Sequence, residues 1–242
     1  MSVELDVWAA THVGRVRKHN EDRCIVGEWR SGASNGSWRG KLPANAQWLL
    51  VADGMGGHEA GEIASELALD VVSQGIGQVR SSDDVTNVLE TANIKLHEAM
   101  YGDAGRPRMG TTIVGLVVVQ QRIVVFNVGD SRAYSLVGGN LSQLSTDHSV
   151  GVGHANGAWL TQSLGGTSRR RPVLPAISWM DAHAGSTLVL CTDGLTGDVF
   201  DDEITAVLGR HRDDPAAALV AAALDAGGRD NITVVVASVS RR

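Results

Sequence analysis

Cysteine is scarce in this sequence: Cys24 and Cys191 are the only two among 242 residues. Two thiols so far apart in the chain cannot form the disulfide framework that small secreted domains use. We therefore predict a reducing compartment. The N-terminus also has no basic segment followed by an apolar run, so we expect no signal peptide and a cytoplasmic protein.

Long apolar runs and an excess of positive charge are missing as well. No uninterrupted apolar stretch approaches the ~18 residues of a membrane-spanning helix, so no membrane partner is expected. The net charge is −6, whereas nucleic acids and anionic membranes favour a basic surface, so no nucleic-acid partner is expected. The one dense basic run, Arg169 to Arg171, is short and predicts a solvated loop.

What the sequence does contain is a series of short apolar segments, many of them rich in Val and Ile. Helical periodicity appears over residues 62–76, 85–100 and 215–225, and the last of these starts with a proline and is followed by two glycines. Grouped strands with paired helices between them favour an α+β layered sandwich over a doubly wound parallel sheet. The predicted strands cover residues 5–11, 24–29, 48–52, 111–119, 123–128, 133–137, 187–191 and 232–239.

The segment 30–47 is rich in Gly, Ser and Asn and predicts a long loop between two strands. A loop of that length is typical of a functional insert or of local disorder. Trp29 and Trp38, in or beside it, are candidates for substrate contacts and equally for buried anchors.

Acidic residues cluster at the ends of the predicted strands. Asp53, Asp130 and Asp193 follow strands, and Glu21, Asp22 and Asp230 precede strands. Neighbouring antiparallel strands start and end at the same edge of a sheet, so these six carboxyl groups can gather at one edge.

Six converging carboxyl groups would repel one another and raise their own pKa values unless cations neutralise them. Each acid alone could be a simple turn former, but the set predicts a multi-metal site. Oxygen ligands without a His or Cys set select Mg²⁺ or Mn²⁺ over Zn²⁺.

Seven short segments, five of which carry these acids, occur in an order that resembles the metal-dependent protein phosphatases, the PPM or type 2C-like serine/threonine phosphatases, in their compact bacterial form. The resemblance extends over nearly the whole chain. The segments cover residues 17–23, 52–58, 109–112, 128–134, 147–149, 192–196 and 230–233, with the sequences RKHNEDR, ADGMGGH, MGTT, VGDSRAY, DHS, TDGLT and DNIT.

The resemblance implies one catalytic domain over residues 1–242, folded as a four-layer α-β-β-α sandwich with two central antiparallel sheets. It also implies a centre of two Mn²⁺ or Mg²⁺ ions, with a third, weaker ion. Carried over by motif, Asp53 bridges the two ions, and Glu21 with the carbonyl of Gly54 completes one of them. Asp193 and Asp230 complete the other, and Asp130 shares the third ion with Asp193.

Two further residues receive roles by the same resemblance. Asp22 orients the water that attacks the phosphoryl group, and Arg17 binds the substrate phosphate, a bidentate task suited to a guanidinium. The implied substrates are proteins phosphorylated on serine or threonine by a cognate kinase. We expect the enzyme to be a monomer.

The sequence departs from the family pattern near the cleft. Met55 stands where eukaryotic relatives carry a histidine proposed as the general acid, which leaves His19 and His58 as weak candidates for that role. The flap segment near residues 147–158 is shorter than usual. The 30–47 insert could take over some of its substrate contacts.

The sequence also contains partial matches to other phosphate-handling enzymes. Cys24 and Arg30 have the C-x5-R spacing of cysteine phosphatases, but the residues between them are typical of a strand and do not form a glycine-rich phosphate loop. A P-loop NTPase is excluded because no Walker A motif is present. Two alternatives stay open: a catalytically weak scaffold or binding relative, and a small-molecule phosphomonoesterase.

Overall fold

The computed structural model describes residues 2–43, 46–56, 60–102, 108–151 and 159–241. The helices there are α1 (Ala60–Gly75), α2 (Ser82–Gly102), α3 (Asp193–Thr196), α4 (Asp201–Arg210) and α5 (Pro215–Asp225). The strands are β1 (Val3–His12), β2 (Asp22–Val26), β3 (Trp29–Arg30), β4 (Gly36–Lys41), β5 (Trp48–Met55), β6 (Gly110–Thr111), β7 (Ile113–Val119), β8 (Arg122–Val128), β9 (Arg132–Val137), β10 (Asn140–Gln143), β11 (Ser149–Val150), β12 (Trp159–Leu160), β13 (Leu164–Gly165), β14 (Ala176–Asp181), β15 (Thr187–Cys191) and β16 (Ile232–Arg241).

Two large sheets form the centre of the fold. The first has the order β10-β9-β15-β16-β1-β4, and the second has the order β13-β6-β5-β7-β8-β14, with β2 beside β5 and β3 beside β2. Every strand pairing in them is antiparallel. The predicted pair of antiparallel sheets is therefore confirmed.

Alternation along the strands divides the apolar residues between layers. In β1, Leu5 and Val7 face a core shared with the second sheet, whereas Trp8 packs on the opposite face. In β5, Leu49 faces the same shared core and Leu50 faces outward toward α1 and α2. These central strands thus pack apolar side chains on both of their faces, because side chains alternate from one face of a sheet to the other.

Helices cover the outer faces of both sheets. Residues of α1 and α2 pack with Leu50 and Phe126 of the second sheet, and residues of α4 and α5 pack with Tyr134 and Val236 of the first. The α5 bounds agree with the sequence prediction: the Asp214 carboxylate accepts a hydrogen bond from the amide of Ala217 at 3.1 Å and caps the helix. The four-layer α-β-β-α sandwich is confirmed.

Three details correct the sequence predictions. The loop predicted over 30–47 contains β4, which pairs with β1 from Gly36 to Lys41. Its sequence, rich in Gly and Ser, does not show the apolar pattern of a strand. An edge strand with one solvated face needs few apolar side chains. The strand predicted for 24–29 ends at Val26, and the strand predicted to end before Asp53 continues to Met55.

No helix in the described ranges is long and apolar enough to cross a membrane. The predicted short flap lies partly outside the described residues. The described part of that region contributes β11, which pairs with β12 directly after the region.

Candidate metal centre

Acidic side chains meet at the edge where strands of both sheets begin or end. Asp22 starts β2 directly opposite Asp53 of β5, and Asp193 follows β15 as the first residue of α3. Asp230 lies two residues before β16, and Asp130 lies two residues after β8. The predicted convergence of strand-end carboxyl groups is therefore what the fold produces.

A cleft of about 490 Å³ opens over these residues. Five of the six predicted acids line it, and Asp22 lies beneath it, 1% exposed. The cleft is lined by Arg17, Lys18, His19, Glu21, Asp53, Gly54, Met55, Gly56, Thr112, Asp130, Leu160, Asp193, Asp230 and Asn231.

Burial and mutual repulsion perturb the acids of this site. Burial is the largest cause in each case: it raises the pKa of Asp53 well above its usual range, that of Asp22 to about 7 and that of Asp193 to about 6. Repulsion from neighbouring carboxylates adds to each of these shifts. Burial also raises the pKa values of Glu21 and Asp130. Carboxyl groups with raised pKa values indicate a site that needs positive charge.

Asp22 shows the need for a further partner most directly. Its Oδ2 accepts a hydrogen bond from the Thr192 hydroxyl at 2.8 Å, but its Oδ1 is buried without a partner. A buried carboxylate oxygen with no partner is costly. An additional polar group, such as an ordered water, would satisfy it.

The backbone around Gly54 has no room for a side chain. A Cβ at this position would overlap the carbonyl oxygen of Gly61 and lie 2.7 Å from that of Glu21. The Gly54 amide donates to the same Glu21 carbonyl at 3.2 Å. Close packing of bare backbone fixes Gly54 next to both Asp53 and Glu21 in the cleft lining.

The donor set fits hard divalent ions, because the side chains in question offer carboxylate oxygens and Gly54 offers a carbonyl. No group of three or more acidic, His or Cys side chains within the described ranges is already arranged as a set of metal ligands. Asp230 is instead bonded to Arg17, with the guanidinium Nη2 at 2.6 Å from Oδ2. The Oδ2 atom of Asp230 is therefore engaged by Arg17 and would have to leave it to contact a metal ion.

Arg17 has the exposure expected of a phosphate-binding residue, with 56% of its side chain accessible. His19 is exposed and lines the same cleft. Met55 lines the cleft at the position discussed above. His58 lies outside the described residues.

Three residues that the sequence analysis did not single out hold the acids in place. Thr192 bonds Asp22 and also accepts a hydrogen bond from the backbone amide of Thr233 at 3.0 Å. The Thr112 hydroxyl accepts from the amide of Asp53 at 3.1 Å. A sequence signal exists for both: Thr192 directly precedes Asp193, and Thr112 lies in the segment 109–112.

The third of these residues, Asn231, fastens the N-terminal segment to the start of β16. Its Oδ1 accepts from the Glu21 amide at 2.8 Å, and its Nδ2 donates to the carbonyls of Val13 and His19 at 2.8 and 2.9 Å. This one side chain anchors both ends of the loop that carries Arg17. It therefore sets the position of the loop relative to the carboxyl groups.

Two tryptophans and a cysteine that the sequence offered as candidates do not line the cleft. Trp29 and Trp38 pack against the core between the two sheets and do not line the cleft, which favours the buried-anchor interpretation. Cys24 is buried in β2, and burial raises its pKa to about 12. A thiol held neutral in this way is a poor nucleophile, which excludes the cysteine-phosphatase interpretation.

Comparison with known proteins agrees with this geometry. The family model described as protein phosphatase 2C matches residues 37–226. The chain is 30% identical over 249 residues to the serine/threonine phosphatase Stp of Listeria welshimeri, covering 93% of this chain and 92% of that protein. It is also 30% identical to the protein phosphatase PhpP of Streptococcus pneumoniae, covering 98% of each.

Solved structures give the same result. The Mycobacterium tuberculosis serine/threonine phosphatase PstP/Ppp superposes with a TM-score of 0.81 at 27% identity, covering 98% of this chain and 100% of that one. The catalytic domain of PstP in complex with two manganese ions superposes with a TM-score of 0.81 at 28% identity, covering 99% of this chain and 100% of that one.

Proposed function

The chain belongs to the protein phosphatase 2C family of metal-dependent serine/threonine phosphatases, and we propose that it hydrolyses phosphoserine and phosphothreonine at the cleft above Asp53. The observation that carries this proposal is the gathering of carboxyl groups with raised pKa values at one edge of two sheets. Phosphate monoesters hydrolyse extremely slowly without a catalyst, so the enzyme must neutralise the phosphoryl group and activate water.

The residues that would hold two Mn²⁺ or Mg²⁺ ions are Asp53 between them, Glu21 and the Gly54 carbonyl on one side, and Asp193 and Asp230 on the other. Asp130 would share a third ion with Asp193. Ions bound there would supply Lewis-acid activation of water and neutralise phosphoryl charge. The orphaned Oδ1 of Asp22 and the all-oxygen donor set support this assignment.

Arg17 would bind the substrate phosphate from the rim of the cleft. Its guanidinium is exposed and its hydrogen bond to Asp230 leaves other N–H groups free for phosphate oxygens. If Asp230 turned toward an ion, its hydrogen bond to Arg17 would break and the guanidinium would be released. Metal binding by Asp230 and phosphate binding by Arg17 are thus coupled through this one hydrogen bond.

Asp22 would position water from below. Its unpartnered Oδ1 is an acceptor, while Thr192 fixes the orientation of the carboxylate through Oδ2. A carboxylate held in this way accepts a hydrogen bond from a water molecule and keeps it beside Asp53, the opposite residue in the register of β2 and β5. His19, exposed at the rim, is the candidate for protonating the leaving oxygen.

The test is hydrolysis of p-nitrophenyl phosphate and of phosphoserine or phosphothreonine peptides, with and without Mn²⁺. We expect Mn²⁺-dependent turnover that falls by several orders of magnitude in Asp53→Asn, because the bridging carboxylate is lost. Asp225→Asn, a substitution of an acid with 85% of its side chain exposed, is the matched control and should behave as the wild type. Near-normal activity in Asp53→Asn would contradict the assignment.

The same experiment separates the alternatives. Bound metal without activity above buffer would indicate a scaffold protein. Faster turnover of metabolite phosphates than of phosphopeptides would indicate a small-molecule phosphomonoesterase. We favour the protein phosphatase because relatives at 30% identity are named as serine/threonine phosphatase or protein phosphatase.

We propose that its partners are phosphoproteins produced by a cognate serine/threonine kinase, and that it acts as a monomer in the cytoplasm. The named relatives are protein phosphatases, and both cysteines are free and buried, as a reducing compartment allows. Size-exclusion chromatography with light scattering tests the monomer, and phosphoproteomics of a deletion strain identifies the substrates.

A further inference from the structure

A second cavity of about 310 Å³ lies between α2 and the segment 161–174. A water molecule occupies about 30 Å³ in the liquid, so the cavity has room for an amino-acid side chain. None of the predicted metal ligands lines it. Its lining includes Asn93 and His97 of α2 together with Gln162, Gly165, Arg171 and Leu174.

Two amides build the frame of this cavity. Asn93 Oδ1 accepts from the Gly165 amide at 3.0 Å, and its Nδ2 donates to the Arg171 carbonyl at 3.0 Å. Gln162 bonds both the amide and the carbonyl of Leu174, at 2.6 and 2.8 Å. Asn93 Nδ2 also lies 3.4 Å from Glu90 Oε2, and Gln162 Nε2 lies 3.2 Å from His148 Nδ1. Both amides are therefore engaged within the protein and shape the cavity.

His97 is an unsatisfied polar group at this cavity. The residue is 4% exposed, and its Nδ1 is buried without a hydrogen-bond partner. Burial and, secondly, the nearby charge of Arg170 lower the pKa of the imidazole, which keeps the ring neutral near pH 7. A bare acceptor is cheaper to bury than an unpaired N–H, so the proton belongs on Nε2, which can donate to a ligand.

Arg171 supplies positive charge at the same cavity. Its side chain is exposed and has no hydrogen bond or ion pair to any described residue, whereas the neighbouring Arg170 is bonded to Glu90. The backbone of Arg171 is nevertheless fixed, because buried Asn93 holds its carbonyl. The backbone of Arg171 thus has a defined position at the cavity, and its guanidinium has no partner among the described residues.

The cavity lies close to the metal centre across one narrow part of the second sheet. Gly54 of β5 pairs with Thr111 of β6, and Thr111 pairs with Leu164 of β13, next to the cavity residue Gly165. Two strand spacings separate β5 from β13, roughly 10 Å. An extended peptide advances about 3.3 Å per residue, so about three residues cover this distance.

We propose that this cavity is a substrate subsite that takes the carboxylate of an acidic side chain about three residues from the phosphorylated residue. Arg171 pairs with the carboxylate and His97 contributes a hydrogen bond from inside the cavity. The inference rests on the proposed protein phosphatase function and assigns a preference for acidic phosphopeptides.

The experiment compares kcat/KM for one phosphothreonine peptide carrying Glu or Ala at each position from two to four residues on either side of the phosphothreonine. For the wild type with Mn²⁺, we expect a preference of about three- to tenfold for Glu at one of these positions, the range of a partly exposed charged hydrogen bond. Arg171→Ala should lose this preference while keeping its rate on the Ala peptide and on p-nitrophenyl phosphate. Arg169→Ala, an exposed arginine of the same loop that does not line the cavity, should keep the preference.

Charge reversal gives an independent arm. Arg171→Glu should favour a Lys peptide over the Glu peptide at the same position. Free succinate should raise KM for the Glu peptide in the wild type, leave the Ala peptide unchanged, and have no effect on either peptide in Arg171→Ala. An equal effect on both peptides in the wild type would overturn the peptide assignment.

Equal rates on Glu and Ala peptides at every position, or equal effects of Arg169→Ala and Arg171→Ala, would overturn the subsite while leaving the phosphatase function intact. Absence of any Mn²⁺-dependent hydrolysis would overturn both.

Discussion

Replacing Asp22 by Asn should make the metal-free protein less sensitive to rising pH. Asp22 is 1% exposed, and burial raises its pKa from 3.8 to about 7. The folded protein therefore holds this proton over a pH range in which the unfolded chain has lost it. Stability then falls as pH rises from about 4 to about 7, because the native state binds more protons than the unfolded state.

The magnitude follows from these two pKa values. Between pH 5 and pH 8, ionising Asp22 in the folded state costs about 2–3 kcal/mol relative to a neutral side chain. Asn is nearly isosteric with protonated Asp, and its carbonyl can still accept from Thr192. We therefore expect the stability difference between Asp22→Asn and the wild type to grow by about 2–3 kcal/mol in favour of the variant over this range.

Urea denaturation in EDTA at pH 5 and pH 8 measures this difference directly. Asp225→Asn serves as the control, and its stability relative to the wild type should hardly change with pH. With Mn²⁺ present, Asp22→Asn should turn over substrate more slowly than the wild type, because the variant loses the carboxylate that accepts a hydrogen bond from water. A stability difference that is constant with pH, or that shrinks toward pH 8, would refute the burial argument.

Three further outcomes test other parts of the structure. Asp193→Asn should weaken tight Mn²⁺ binding measured by calorimetry far more than Asp130→Asn does, and equal losses would contradict the division of ligands. Cys24→Ser should keep Mn²⁺-dependent activity, since burial keeps the thiol neutral with a pKa of about 12; a dead but folded variant would reopen cysteine chemistry. Gly54→Ala should fail to fold or lose several kcal/mol of stability, because its Cβ would overlap the Gly61 carbonyl; a wild-type melting temperature would contradict the packing.

The site was largely predictable from where its acids stand in the sequence. Asp53, Asp193 and Asp230 each adjoin an apolar segment whose strand character is evident from its composition, and antiparallel pairing brings such ends together. The roles of the individual acids stay predictions. The strands that the pattern did not reveal include β4, with glycine and serine in place of a run of apolar residues, and β14 at Ala176–Asp181.

The interactions that support the acids also escaped the sequence. Asn231 binds Glu21, Val13 and His19 across more than two hundred residues of chain, and nothing local marks it as an anchor. The hydrogen bond between Arg17 and Asp230 likewise joins the two ends of the chain. Such contacts depend on how the strands are ordered, which a single sequence does not state.

By itself, the sequence indicated the fold class through apolar periodicity and turn residues, and it predicted a multi-metal site through the positions of its acids. The family followed from the resemblance of seven short segments. All of these are local properties of the chain. Only the tertiary structure decided that Asp22 lies beneath the cleft with one oxygen unsatisfied. It also decided that Gly54 is locked against Gly61, and that His97 and Arg171 share a second cavity. Burial and long-range proximity arise from the packing of distant segments, so they become visible once the chain is folded.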